Sequence, residues 1–234
     1  MPAGNPLHAL AGLGQSVWLD FIRRSWLEDG MTSNPAIFEK AIAQGREYDA
    51  EIQAILARGG RDPLAVYEAV AVADIRQAAD LLAAVYRRTH TQDGYVSLEV
   101  SPELAHDAPG TLAEARRLWQ EVDRPNLMIK VPGTRTCLPV IRTLLAEGIN
   151  VNITLLFAKE AYSLVAEAYL AALEERLGKG MPVDRVASVA SFFISRIDTL
   201  VDKRIDARAS AAAPTDRARL EALRKPLLGV LVTH

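Results

Sequence analysis

The sequence predicts an α/β fold built around a parallel β-sheet. Short runs rich in Val, Ile and Leu alternate with longer segments whose apolar residues recur at helical spacing. This alternation is typical of repeated βα units. The turns between the segments are short, so we expect residues 1–234 to form one domain.

Six apolar runs are predicted as strands, and longer helical segments separate them. The predicted strands cover residues 16–20, 30–33, 95–101, 127–132, 149–157 and 185–195. The predicted helices cover residues 35–57, 63–90, 110–122, 136–147, 158–177 and 199–224. A closed α/β barrel needs eight strands, and an extended segment at 227–232 would add only a seventh. We therefore expect an incomplete barrel.

The composition excludes several classes of function. Lysine and arginine total 27 against 29 aspartates and glutamates, which gives a formal net charge of −2. Broad nucleic-acid or anionic-membrane surfaces need a clustered excess of basic residues, so neither partner is expected. The first residues do not have the pattern of a secretory signal, and no apolar run is long enough to span a bilayer.

One cysteine, Cys137, cannot form an intramolecular disulfide, and no Cys/His cluster has the spacing of a metal site. We therefore expect a cytoplasmic protein without a bound metal. Phosphate-loop, dinucleotide-binding, zinc-protease and serine-hydrolase motifs do not occur in the sequence.

Polar residues alternate with apolar ones in two predicted strands. Ser97 and Glu99 alternate with valine and leucine, and so do Asn150, Asn152 and Thr154. Strands covered on both faces are usually apolar throughout, so a polar face indicates a barrel interior that opens into a site. The alternative is an antiparallel sheet with a solvated face, which the intervening helices disfavour.

Lys130 lies in the middle of the apolar run LMIKVP. Desolvation among apolar neighbours disfavours an ammonium group, and a neutral amine is the nucleophile that forms a Schiff base with a carbonyl substrate. The alternative is a structural lysine whose charged head extends into solvent at a strand end.

Three further polar residues lie at the predicted boundaries of strands or helices. Asp20 ends the first strand and is either a proton-transfer carboxylate or a helix cap. Asn34, followed by Pro35, has the pattern of a helix N-cap. Arg196 ends the predicted strand 185–195, where its guanidinium suits a phosphate or carboxylate or pairs with a nearby aspartate.

Together, these segments resemble the transaldolase family over residues 5–206. TSNPAIF and NLMIKVPGT are the most specific motifs, and QSVWLDFIRR, YVSLEVSPELAHD, EGINVNITLLF and VASFFISRID occur in the family's order. The resemblance implies a (β/α)8 TIM barrel whose last two strands are missing from this chain. It also implies an enzyme without a metal or organic cofactor, which transfers a dihydroxyacetone unit between sugar phosphates in the pentose phosphate pathway.

The same resemblance assigns roles to residues of this sequence. Lys130 resembles the lysine that forms the Schiff base, and Asp20 resembles the carboxylate that exchanges the proton of the C4 hydroxyl. Glu99 and Thr154 resemble the pair that manages water and proton transfer. The expected substrate-binding residues are Asn34, Asn152, Ser191, Phe193 and Arg196.

Two departures from the family pattern lead to further expectations. Arg135, Thr136 and Cys137 replace a small residue and a glycine after Lys130, so we expect a strained turn there. The missing strands leave two alternatives to a transaldolase: a non-catalytic relative that acts as a scaffold, and a small aldolase that releases free dihydroxyacetone. The sequence leaves open whether identical chains assemble into an oligomer.

Overall fold

The structure is a computed structural model that describes most of the chain. It covers residues 10, 13, 16, 18–20, 31–32, 39, 42 and 45–224. Asn34 and the segment 227–232 lie outside the described residues.

In the part of the chain that the structure describes, six parallel strands form one sheet in the order β1-β2-β3-β4-β5-β6, which follows the order of the chain. All six lie within the predicted strands, and the α/β fold with a parallel sheet is confirmed. Within the described residues, β1 pairs only with β2 and β6 only with β5. The strands are β1 (Leu19–Asp20), β2 (Met31–Thr32), β3 (Val96–Glu99), β4 (Leu127–Pro132), β5 (Val151–Leu156) and β6 (Ser188–Phe192).

The helices follow the strands as a βα repeat requires. Asp62 and Asp107 cap the second and third helices by accepting hydrogen bonds from backbone N–H groups. Short 3-10 turns cover Pro102–Leu104 and Arg135–Cys137. The helices are α1 (Asp49–Ala57), α2 (Pro63–Arg88), α3 (Ala108–Val122), α4 (Leu138–Glu147), α5 (Lys159–Gly178), α6 (Ile194–Ala211) and α7 (Pro214–Glu221).

Two predicted boundaries near the end of the chain are wrong. The strand predicted over 185–195 covers only Ser188–Phe192, and Arg196 lies in the first turn of α6 rather than at a strand end. The helix predicted over 199–224 divides into α6 and α7 before Pro214. Proline has no N–H to donate and disfavours the helical conformation of the residue before it, which explains the break.

The turn after Lys130 is regular. Arg135–Cys137 forms a 3-10 turn whose first N–H groups are capped by the Thr134 hydroxyl, which accepts a hydrogen bond from the Cys137 N–H at 3.3 Å. None of its residues has a positive φ angle. The expectation of strain at this turn is therefore wrong.

The hydrophobic core lies between one face of the sheet and the helices. Side chains of a strand alternate between its faces, and the apolar positions of β3, β4 and β5 pack against α2, α3, α4 and α5. The polar positions consequently lie on the opposite, inner face. The core residues of these strands are Val96, Leu98, Leu127, Ile129, Val131, Val151, Ile153 and Leu156.

Asn150 links three strands at their amino ends. Its Nδ2 donates to the carbonyl oxygens of Pro125 at 3.1 Å and Leu127 at 3.0 Å, and its Oδ1 accepts from the Ala187 N–H at 2.9 Å. The side chain is buried. Asn150 thus has a structural role. The alternating sequence pattern had assigned it, with Asn152, to the polar face of the strand.

A buried arginine joins two connections at the same end of the sheet. Arg176 donates from Nε and Nη2 to the Pro182 carbonyl at 2.9 and 2.7 Å, and from Nη1 to the Ala146 carbonyl at 2.9 Å. Ala146 lies in the last turn of α4, where carbonyls lack helical partners and a positive charge is favourable. Arg176 therefore ties the end of α4 to the segment that leads into β6.

Candidate active site

Strand register brings three predicted site residues to one level of the inner face. Glu99 of β3 is paired with Lys130 of β4, and Lys130 is paired with Asn152 of β5. Register partners in a parallel sheet point to the same face. The three side chains therefore lie side by side across the sheet.

Lys130 is 6 % exposed, and its Nζ lies 3.4 Å from Glu99 Oε2. The sequence predicted apolar surroundings that would favour the neutral amine. The structure instead places the carboxylate of Glu99 beside the amine. Glu99 is therefore within reach of a proton on the lysine Nζ.

Asn152 connects β3 to β6 through its amide. Its Nδ2 donates to Ser97 Oγ at 3.0 Å, and its Oδ1 accepts from Ser191 Oγ at 2.8 Å. Asn152 and Ser97 are buried. The result is a row of fixed hydroxyl and amide groups beside Lys130, with which the hydroxyls of a sugar could exchange hydrogen bonds.

Thr154 is buried two positions beyond Asn152 in β5, on the same face. Its register partner in β4 is Pro132, and its carbonyl accepts from the Gly133 N–H at 2.7 Å. It lies toward the carboxyl end of the sheet relative to Lys130, which is where β/α barrels carry their active sites.

Phe193 and Arg196 lie at the carboxyl end of β6. The guanidinium carbon of Arg196 lies 4.4 Å from the centroid of the Phe193 ring, a cation–π contact. Phe193 also stacks on Phe157 with ring centroids 5.0 Å apart and planes inclined by 21°. Arg196 thus projects from the first turn of α6 and not from the strand end that the sequence indicated.

The first two strands contribute backbone positions. Asp20 lies in β1, in register with Thr32 of β2, and Thr32 is in register with Ser97 of β3. The backbone of Asp20, the predicted proton-transfer residue, is thus level with Ser97, an inner-face residue of β3. Asn34 lies outside the described residues.

Sequence reasoning missed Tyr67 and gave no role to Phe157. Burial, followed by the negative charge of Glu99, raises the pKa of Tyr67 to about 12, so the phenol stays protonated near Glu99. Tyr67 lies in α2, where an aromatic residue at helical spacing is ordinarily part of the core. Phe157 ends an apolar run and has no distinguishing sequence signal.

A groove of about 520 Å³ lies between α2 and α3 and reaches Glu99. Tyr67, Leu98 and Glu114 also line it, and Leu98 belongs to the helix-facing side of β3. Burial raises the pKa of Glu114, which accepts a hydrogen bond from the Ser101 N–H at 3.2 Å. The groove therefore lies mainly in the outer layer of helices and meets the Lys130 site at Glu99.

The described residues bring together no group of three or more His, Cys, Asp or Glu side chains able to hold a metal ion. In the same part of the chain, no helix combines the length and the apolar character needed to cross a bilayer.

Comparison with known proteins gives consistent matches. The transaldolase 2 of Nostoc sp. is 46 % identical over 231 aligned residues, covering 93 % of this chain and 60 % of that protein. The transaldolase 2 of Nostoc punctiforme is 49 % identical over 208 residues, covering 83 % and 54 % respectively. The transaldolase of Thermobifida fusca is 47 % identical over 232 residues, covering 92 % and 62 %.

The chain thus spans about 60 % of the length of these curated relatives. Its parallel sheet with outer helices is consistent with part of a (β/α)8 barrel. Residues 17–224 match the family model described as transaldolase/fructose-6-phosphate aldolase. Since that match covers most of the sequence, the chain belongs to the transaldolase/fructose-6-phosphate aldolase family.

Proposed function

We propose that this protein is a transaldolase that acts through a Schiff base on Lys130. It transfers a dihydroxyacetone unit from a ketose phosphate, such as fructose 6-phosphate or sedoheptulose 7-phosphate, to an aldose phosphate, such as glyceraldehyde 3-phosphate or erythrose 4-phosphate. The observation that carries the proposal is the buried Lys130 beside Glu99 in a parallel sheet.

The reaction begins when the Lys130 amine attacks the C2 carbonyl of the ketose. Glu99 and Thr154 handle the proton and the water that leaves as the iminium forms. Asp20 removes the proton of the C4 hydroxyl, the C3–C4 bond breaks, and its electrons move to the iminium to give an enamine. C4 becomes the carbonyl carbon of an aldose phosphate, which leaves the site. The enamine then attacks the carbonyl carbon of the acceptor aldehyde, and Asp20 returns the proton to the oxygen of that carbonyl. Water finally hydrolyses the new iminium, which releases the product ketose and the Lys130 amine.

These reaction steps require a site with fixed hydrogen bonds, because the enamine must persist until the acceptor arrives. Asn34, Asn152 and Ser191 hold the hydroxyls of the three-carbon unit, and Phe193 lines the site. Arg196 binds the substrate phosphate through its guanidinium. The 2.8 Å hydrogen bond from Ser191 to Asn152 supports this role by orienting both groups before substrate binds.

Borohydride reduction in the presence of fructose 6-phosphate tests the proposal, because it converts the iminium to a stable secondary amine. Mass spectrometry of the digested protein should locate the adduct on Lys130. Lys130→Met should give no adduct, whereas Lys159→Met, which changes an exposed lysine, should match the wild type. Folded wild-type protein that forms no adduct would refute the Schiff-base mechanism.

A second candidate is an aldolase that releases free dihydroxyacetone. The description of the matching family names fructose-6-phosphate aldolase beside transaldolase. Product analysis without an acceptor separates the two: an aldolase accumulates free dihydroxyacetone, and a transaldolase retains the unit until erythrose 4-phosphate is added. Turnover that Lys130→Met abolishes would exclude a non-catalytic scaffold.

We further propose the setting in which the enzyme acts. A cytoplasmic location agrees with a single buried cysteine, and the chemistry needs no organic cofactor or metal. Residues 1–234 form one domain in this proposal, and sugar phosphates rather than nucleic acids or membranes are its partners. Sedimentation of the purified protein would establish whether identical chains assemble.

A further inference from the structure

A β-bulge interrupts β5 directly after Thr154. Ile153 is in register with Ala190 and Leu156 with Phe192, so three steps along β5 match two steps along β6. The extra residue is Leu155, whose φ angle is +62°. Only glycine adopts such a conformation readily, and leucine there indicates local strain.

The bulge changes which side chains face the site. In an uninterrupted strand, Leu156 would share the inner face of Asn152 and Thr154, and Phe157 would point toward the helices. One inserted residue reverses the alternation. Leu156 is accordingly buried in the core with the helices, and Phe157 stacks on Phe193, the aromatic residue that contacts Arg196.

Backbone pairing fixes this arrangement. The Phe193 N–H donates to the Leu156 carbonyl at 3.0 Å, which joins the residues just before Phe157 and just after β6. The two rings are therefore placed by adjacent strands, whereas Arg196 belongs to the first turn of α6 and is exposed. A flexible, exposed arginine gains a defined position when it lies on an aromatic surface.

We propose that Phe157 is a positioning residue for Arg196: the bulge at Leu155 turns its ring to the inner face, where it supports Phe193 and thereby holds the guanidinium for a substrate phosphate. This inference rests on the proposed function for the phosphate role of Arg196. The aromatic stack and the bulge are observed independently of that role. Phe157 does not need to touch the substrate itself, because it acts through Phe193.

The first measurement compares two ketoses that differ only in the phosphate. Borohydride trapping on Lys130 is followed against the concentration of fructose 6-phosphate or fructose. For Phe157→Leu, the half-saturating concentration of fructose 6-phosphate should rise about 2- to 10-fold, while that of fructose and the maximal yield stay unchanged. Phe157→Tyr should restore the wild-type value, and Tyr162→Leu, which changes an exposed aromatic residue of α5, should have no effect.

The second measurement needs no reaction. In ¹⁵N-labelled protein, the Nε–H signal of Arg196, assigned by its loss in Arg196→Lys, should lie upfield because of the Phe193 ring current. Phe157→Leu should move it toward the position of a solvated arginine, and Phe157→Tyr should not. An unmoved signal would overturn the role of Phe157, as would an equal effect on both ketoses. If wild-type protein forms no adduct with either ketose, the proposed function fails, and the Arg196 signal still decides whether Phe157 positions it.

Discussion

Replacing Arg176 with methionine should destabilise the fold without altering the site. The arginine is 6 % exposed and makes three hydrogen bonds to two backbone carbonyls, those of Ala146 and Pro182. Methionine fills similar space but leaves both carbonyls without this donor. A fully buried acceptor that loses its partner costs about 1–3 kcal/mol, and these two carbonyls lie at the low end of that range because Ala146 is half-buried and Pro182 is exposed.

The sum for two partly solvated carbonyls is about 2 kcal/mol. Burying the guanidinium is itself unfavourable, so the net loss in the free energy of unfolding should be about 1–2 kcal/mol. For a chain of this size, that loss corresponds to a fall in Tm of about 2–8 °C. Urea unfolding followed by circular dichroism measures the first quantity, and a thermal scan measures the second.

Arg142→Met is the matched control. Arg142 pairs with Glu175 at 3.2 Å, and its side chain is 52 % exposed, so its loss should change stability by less than about 0.5 kcal/mol. Arg176→Lys should fall between the two, because an ammonium cannot span both carbonyls as the guanidinium does. If Arg176→Met were no more destabilising than the control, the structural role assigned to these hydrogen bonds would be wrong.

Substitutions at two positions of β5 test different features: Asn152→Ala tests the site, and changes at Leu155 test the bulge. Asn152→Ala removes the partner of Ser97 and Ser191, so we expect a loss of about 1–3 kcal/mol in urea unfolding together with a fall in kcat/KM of at least about tenfold. Unchanged kcat/KM would contradict a role for the amide in binding. Leu155→Gly should change stability by less than about 1 kcal/mol, whereas Leu155→Val should lower it by about 1–2 kcal/mol, since a β-branched residue resists a positive φ. Equal unfolding curves for the two variants would contradict the bulge geometry.

The inner face was predictable because strand periodicity is a local property. Alternation in two segments assigned Ser97, Glu99, Asn152 and Thr154 to one face, and the structure brings Glu99 and Asn152 level with Lys130. Periodicity does not predict how far neighbouring strands are shifted relative to each other. The pairing of Glu99 with Lys130, rather than with another charged residue, is fixed by register between segments about 30 residues apart.

Other features depend on tertiary contacts that leave no local signal. The run that contains Phe193 has the composition of a strand, yet α6 begins at Ile194 once the chain passes the sheet edge. The bulge at Leu155 has no glycine to mark it. Asn150 belongs to the alternating pattern, but its amide is used at the amino end of the sheet.

The amino end of the sheet carries residues that stabilise the fold, and the carboxyl end carries residues of the candidate site. At the amino ends, Asn150 and Arg176 satisfy backbone groups. Toward the carboxyl ends lie features that a protein selected for stability alone would not favour, among them a buried lysine and a leucine with a positive φ angle. Strain is retained at Leu155 because it delivers Phe157 to the inner face, and the buried Lys130 lies beside Glu99. Substitutions at the amino end should therefore change the free energy of unfolding and leave KM unchanged, whereas those at the carboxyl end should change KM or kcat.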